Sequence, residues 1–240
     1  MNLLSPTVGR LRLSECPQWF RHVPFARWGW RELNLWGWPL LAITIILLLV
    51  GNPWCWFAIV PAALLGLLLY FFRDPKRTIP EGPNLIVSPA DGTVTDVTPL
   101  SEYEFIGRPA VRVGIFLSVL NVHINRTPYT GRVVDTLYKP GEFVNAQRTD
   151  CGERNESNWI GFEDPSMPER RFAVRQVSGM LARRIVCVLR HGQTVPRGEK
   201  FGMIKLGSRT EVILPADAVQ IHVRPGDKLR AGCDVIGRWT

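Results

Sequence analysis

Residues 34–72 read NLWGWPLLAITIILLLVGNPWCWFAIVPAALLGLLLYFF, 39 consecutive positions without an Asp, Glu, Lys or Arg. Two apolar runs, Leu35–Val50 and Trp54–Phe72, hold 16 and 19 residues and are parted by Gly51-Asn52-Pro53. A helix that crosses a bilayer takes about 20 apolar residues, so the second run is long enough and the first is short. Gly-Asn-Pro is a turn signal. The pair therefore reads as a helical transmembrane hairpin, the alternatives being a buried soluble hairpin or one that dips into a single leaflet. Trp36, Trp38, Trp54 and Trp56 stand at the ends of the runs, the depth that indole rings prefer. Arg31 flanks one end of the block, Arg73, Lys76 and Arg77 flank the other, and the turn carries no charge. The positive-inside rule then places both termini on the cytoplasmic side of the cell (inner) membrane.

Outward from this block the chain has two other regimes. Residues 1–33 form a basic segment with five Arg and two Glu. It is not a cleavable signal peptide, because its polar region is too long and no small-residue cleavage site follows the apolar run. Residues 73–240 hold 24 bases and 19 acids, a mild excess without the aromatic-basic motifs of a nucleic-acid binder. Here strand-like alternation takes over: Gly92–Thr98, Ala110–Leu117, Arg171–Val177, Arg184–Leu189, Arg209–Leu214 and Ala218–Val223. Gly, Pro and Asp punctuate them, which predicts a mainly β domain. GQTVPRGEKFGMI (192–204) and PGDKLRAGCDVIG (225–237) share the layout of hairpins in barrel-sandwich, lipoyl-like domains. No Lys stands at a carrier hairpin tip, so a lipoyl carrier is not expected. The polar stretch from Gly141 to Pro168 reads as a long loop or lid. Cys16, Cys55, Cys151, Cys187 and Cys233 are scattered, without zinc spacing, and read as free thiols of a reducing compartment.

Lys205-Leu206-Gly207-Ser208-Arg209-Thr210 is the segment with chemistry of its own. An unhindered Gly carbonyl precedes a Ser hydroxyl. Ser208 Oγ can attack the Gly207 carbonyl and shift the acyl group from N to O. Loss of the Ser208 α-proton would then expel the ester and leave dehydroalanine, which hydrolyses to a pyruvoyl group. A Gly-Ser pair alone is more often an ordinary turn.

The surrounding motifs give it context. Phe72-Arg73-Asp74-Pro75, Ser88-Pro89-Ala90-Asp91-Gly92, Phe116-Leu117-Ser118, Asn121-Val122-His123-Ile124-Asn125-Arg126, Asn145-Ala146, Glu153-Arg154-Asn155-Glu156, Ala182-Arg183-Arg184-Ile185 and Phe201-Gly202 precede Gly207-Ser208-Arg209. In this order they resemble the phosphatidylserine decarboxylase proenzymes, particularly the short form. The resemblance implies cleavage between Gly207 and Ser208, a β chain 1–207 that stays associated with an α chain 208–240, and a pyruvoyl cofactor formed from Ser208. It implies membrane phosphatidylserine as substrate and no metal. Such a ketone takes up the electrons left on Cα by decarboxylation through a Schiff base with the substrate amine.

Four His supply few acid/base candidates. His22 lies in the basic segment, His191 in a turn, and His222 on a strand, where a packed core residue is the plain reading. His123, in a polar loop after an apolar strand, titrates in the range that suits proton transfer, and the resemblance points to it as catalytic. Some long-form members carry a second His where Arg126 stands here. Asp91 is either an Asx-Gly turn residue or the carboxylate that fixes the His123 tautomer. Arg126 is either solvated charge or a clamp for the lipid phosphate, and Asn125 either caps the loop or holds an oxyanion. The alternatives are a pyruvoyl decarboxylase for a soluble amino acid, which the hairpin disfavours, and a non-catalytic membrane-anchored β-barrel adaptor. A homo-oligomer is compatible with the pattern.

Overall fold

The computed structural model describes residues 24–147, 151–179, 184–205 and 207–240. The apolar block folds into two helices, Arg27–Val50 and Trp54–Phe71, both long and apolar enough to cross a membrane. The first starts well before Leu35, and its Leu33–Gly37 stretch is a π-helical turn. The reason is packing. Gly29 lies so close to the Phe72 ring that a Cβ there would sit 2.1 Å from it, and Ala26 N–H donates to Phe72 O at 2.7 Å. Ala26, Leu33, Phe71, Phe72, Val122, Ile124 and Met203 form one buried cluster. Each fully buried large apolar side chain contributes roughly 1.5–3 kcal/mol, so this cluster fastens the hairpin to the domain that follows.

That domain is built from strands β1 (Leu85–Val87), β2 (Gly92–Tyr103), β3 (Arg108–Leu117), β4 (Ile124–Arg126), β5 (Gly131–Lys139), β6 (Ser157–Glu163) and β7 (Arg171–Ser178), then β8 (Arg184–Cys187), β9 (Thr194–Val195), β10 (Lys200–Lys205), β11 (Ser208–Pro215), β12 (Val219–Ile221), β13 (Lys228–Leu229) and β14 (Val235–Trp239). Eight of them form one antiparallel sheet in the order β13-β2-β3-β11-β7-β6-β5-β9, and two three-stranded sheets, β1-β14-β12 and β4-β10-β8, complete the fold. The core between them holds Ile86, Val113, Ile115, Phe162, Phe172, Phe201, Val212 and Trp239. The mainly β reading and all six expected strands are present. Residues 192–204 and 225–237 supply β9 with β10 and β13 with the start of β14.

The expected loop from Gly141 to Pro168 is partly ordinary secondary structure. Cys151–Arg154 is a helical turn and β6 runs through the sheet between β5 and β7. Ile160 and Phe162 supply the buried face, a pattern that the polar residues around them hide in the sequence. Among the described cysteines, Cys55, Cys187 and Cys233 are free thiols. His222 is exposed rather than packed, and His191 is exposed in its turn, while His22 and Arg183 lie outside the described residues.

Candidate active site

β11 is an inner strand, paired with β3 over Ser208–Pro215 and with β7 over Ser208–Ile213. Ser208 is its first residue, opposite Leu117 on one side and Ser178 on the other. The Ser208 hydroxyl is fully buried and has no hydrogen-bond partner among the described residues. A buried orphan hydroxyl costs free energy and calls for an explanation. Gly207 has φ +63°, the left-handed region where a side chain would be strained. Its carbonyl oxygen presses on the backbone of Gly179: a Cβ on Gly179 would lie 2.2 Å from it. Glycine at 179 is therefore what lets the Gly207 carbonyl occupy its place.

His123 leaves the end of the β3–β4 connection and faces this junction. Its Nε2 accepts the Gly207 N–H at 3.3 Å, and its Nδ1 lies 2.9 Å from Asn121 O. Nδ1–H donation to that carbonyl leaves the Nε2 lone pair toward the junction, the tautomer a general base needs. The ring is fully buried and packs on Phe71. Burial pushes its pKa down from 6.5 to about 4, the nearby Arg73 charge adds to this, and the Asn121 carbonyl works the other way. The imidazole is thus neutral at physiological pH.

Asp91 does not meet His123. Its Oδ2 accepts from Arg77 Nη2 at 2.7 Å and its Oδ1 from Ala231 N–H at 2.7 Å. The tautomer-fixing role expected for Asp91 falls to the Asn121 carbonyl, while Asp91 ties the Ser88–Gly92 turn to the loop before β14. Asn125 is fully buried: its Nδ2 donates to Thr210 Oγ1 and its Oδ1 accepts from Gln176 Nε2, each at 2.9 Å. It links β4 to β11 and β7, so its polar atoms are committed to the frame. Arg126 is buried too. It donates to Gly198 O at 2.8 Å and stands 4.0 Å from Asp74, so these contacts make it a strut of the frame. Lys205, just ahead of the junction, pairs with Glu32 at 2.7 Å, so the base of the first apolar helix is tied to the strand that leads into Gly207. Among the described residues no group of three or more His, Cys, Asp or Glu is placed to hold a metal ion.

The phosphatidylserine decarboxylase family model matches residues 64–237. A phosphatidylserine decarboxylase proenzyme of Rhodopirellula baltica is 42% identical over 92% of this chain and 90% of its own length. One from Symbiobacterium thermophilum is 45% identical over 84% of this chain and 93% of its own. One from Chlorobium phaeobacteroides is 46% identical over 74% and 82%. The chain belongs to the phosphatidylserine decarboxylase family.

One feature of this family member escaped the sequence reading. Arg209, fully buried, donates to Glu211 Oε1 at 2.8 Å, Asp96 Oδ1 at 2.6 Å and Thr95 Oγ1 at 2.6 Å. Glu211, also fully buried, accepts from Arg175 Nε at 2.7 Å, and Arg112 stands within 4 Å of both acids. Coulombic attraction and hydrogen bonds from Arg209 outweigh desolvation and hold the Asp96 carboxyl below its usual pKa. The signal was present as alternate charged residues, Arg209 and Glu211, in a strand flanked by apolar positions. A solvated face is the usual meaning of that pattern, and only the pairing of β11 on both edges shows it to be interior.

Proposed function

We propose that the chain is made as a precursor that cleaves itself between Gly207 and Ser208, and that the product decarboxylates phosphatidylserine to phosphatidylethanolamine at a membrane surface. The observation that carries this reading is the buried, unpartnered Ser208 hydroxyl at a junction whose Gly207 N–H is held by the unprotonated nitrogen of His123.

In the first step Ser208 Oγ adds to the Gly207 carbonyl carbon. His123 Nε2 takes the hydroxyl proton and delivers it to the Ser208 amide nitrogen, the C–N bond breaks, and an ester replaces the amide. Removal of the Ser208 α-proton then breaks the Cβ–Oγ bond. Gly207 leaves as a carboxylate and residue 208 becomes dehydroalanine. Water converts this to the ketone of a pyruvoyl group with release of ammonia. The residues fit such a group: position 208 is buried, and the Gly207 before it lies against the Gly179 backbone and donates to the neutral His123 imidazole. When present, the pyruvoyl ketone supplies the electron sink for decarboxylation. His123 is the side chain placed to hold or return a proton there, and the packing of Phe71 over it excludes water.

The α chain stays in place because β11 is bonded along both edges and β12 to β14 pair with each other and with β-chain strands. The two apolar helices set the domain at the bilayer, on the cytoplasmic side of the inner membrane. Mass spectrometry after borohydride reduction, with and without phosphatidylserine, tests the whole reading. Two chains split at 207/208, a reduced pyruvoyl mass on the smaller and a lipid adduct on it are expected. A single intact chain that is active would overturn it.

A further inference from the structure

Beyond residue 72 the described residues expose few large apolar side chains: Val119, Leu120, Leu137, Tyr138, Phe143 and Met167. Val119 and Leu120 are neighbours, 40% and 57% exposed, at the tip of the turn between β3 and β4. The turn is stiff. Asn121 N–H donates to Ser118 O, and Asn121 Oδ1 accepts from both Ser118 N–H and Ser118 Oγ, at 2.8 to 2.9 Å. A rigid turn that keeps two adjacent aliphatic side chains in water forgoes their burial.

The tip is fastened to the end of the membrane hairpin. Arg73 donates through Nη1 to Tyr70 O at 2.7 Å and through Nη2 to Leu120 O at 2.8 Å, and its guanidinium lies 3.7 Å above the Tyr70 ring. Arg73 is the first charged residue after the uncharged block, so it marks the boundary between lipid and water. Leu120 therefore lies within one side chain's reach of that boundary. Exposed Lys76 follows a few residues on, the kind of base that anionic lipid attracts. The sheet agrees with this orientation. Leu117, where the turn begins, pairs with Ser208, and Lys139, next to exposed Tyr138 and Leu137, pairs with Ser157 at the same end of the sheet. Met167 follows Glu163 and precedes Arg171, which pair at the opposite end.

We propose that the Val119–Leu120 tip is a second membrane contact: it enters the surface of a phospholipid bilayer beside the hairpin and holds the neighbouring His123 loop at headgroup depth. The proposal takes from the functional reading only that the hairpin lies in a bilayer. A side-chain pair dipping into the headgroup–acyl boundary is the loop counterpart of an interfacial helix.

The test uses the full chain in phosphatidylcholine–phosphatidylglycerol vesicles whose acyl chains are brominated near the carbonyl end. A genetically encoded fluorescent amino acid replaces Leu120 in one protein, Val119 in a second and Met167 in a third. The native tryptophans, seven of which lie between Trp19 and Trp56, report on the hairpin in the same samples. The expected result is loss of probe emission at 119 and 120 comparable with that of the tryptophans, and none at 167. Quenched tryptophans with unquenched probes at 119 and 120 would overturn the tip contact while leaving the hairpin in the bilayer. Unquenched tryptophans would remove the hairpin reading and the tip contact together.

Discussion

Phe71, the last residue of the second apolar helix, lays its ring 4.5 Å from the imidazole of His123 at an interplanar angle of 37°. The second apolar helix thus forms a wall of the candidate site. Phe71→Ala would leave a cavity against His123, at a cost of roughly 3–5 kcal/mol for a buried Phe, and would let water reach the ring. Precursor cleavage should slow, and its acid limb should move up toward pH 6.5. Phe71→Leu should restore most of the rate. Cleavage followed on gels across a pH series decides this, and a wild-type profile in Phe71→Ala would sink the idea. For the same reason a chain lacking residues 1–72 should leave the membrane and also process poorly.

The pH dependence of the wild type follows from the burial of His123. Its folded pKa, about 4, lies below the unfolded 6.5. Between these values the unfolded chain binds more protons, so stability falls as pH falls. The contribution is complete above the unfolded pKa, and about 3 kcal/mol of it is lost by the folded one. Denaturant unfolding of the wild type and of His123→Gln near neutral pH and near the folded pKa should show a smaller pH loss in the variant. Wild-type cleavage should hold its rate well below pH 6.5 and fall only toward the folded pKa of about 4. An acid limb centred at the ordinary histidine value would mean that the base is another group.

Asp91 and His123 make separate contacts, so their substitutions should act independently. His123→Ala removes the base and should slow cleavage by about 10²–10⁴. Asp91→Asn keeps an oxygen for Ala231 N–H and loses the ion pair with Arg77, a smaller effect. The double variant should show the product of the two factors. A double variant no slower than His123→Ala would instead show the pair acting as a unit, the triad behaviour expected from the motifs alone.

Patterns with a single strong period could be read from the residues. The uncharged block and the alternation of β3, β7 and β11 belong to this class, whereas Gly207-Ser208 and His123 drew notice through the motifs around them and their chemistry. What stayed hidden depended on contacts between distant segments. The start of the first helix at Arg27 rests on Gly29 meeting Phe72. The partner of Asp91 is a backbone amide at Ala231, and amides carry no signature in sequence. Arg126 looked free because its anchor, the Gly198 carbonyl, is likewise backbone. The burial of the Arg209–Glu211 pair stayed hidden because sequence does not say which strand lies inside a sheet.

Gly179 offers a direct test of the cleavage geometry. A methyl group there would have to share space with the Gly207 carbonyl oxygen, a backbone atom at 2.2 Å that has no rotamer to retreat into. Gly179→Ala should therefore displace the scissile carbonyl and arrest the precursor while the sheet persists. Far-ultraviolet circular dichroism close to wild type together with an uncleaved chain is the expected pair of results. Normal cleavage in Gly179→Ala would mean that the carbonyl sits elsewhere when the junction reacts.

With the proposed cut between Gly207 and Ser208, Arg209 would be the second residue of a 33-residue α chain. Its bonds to Asp96 and Thr95 then join two separate polypeptides, as does the bond from Arg175 to Glu211. Arg209→Met would leave two buried carboxylates with less positive charge around them, and breaking a buried pair on one side costs about 3–5 kcal/mol. Arg209→Lys keeps the charge but lacks the planar fork that reaches three acceptors at once, so it should recover only part of the loss. The measurement is the denaturant midpoint of the processed protein, read together with retention of the α chain on size-exclusion chromatography at sub-denaturing concentration. The expected order is wild type, Arg209→Lys, Arg209→Met, with the α chain shed first from the last. Equal midpoints and equal retention would show that the backbone pairing of β11 holds the chains together without help from the buried charges.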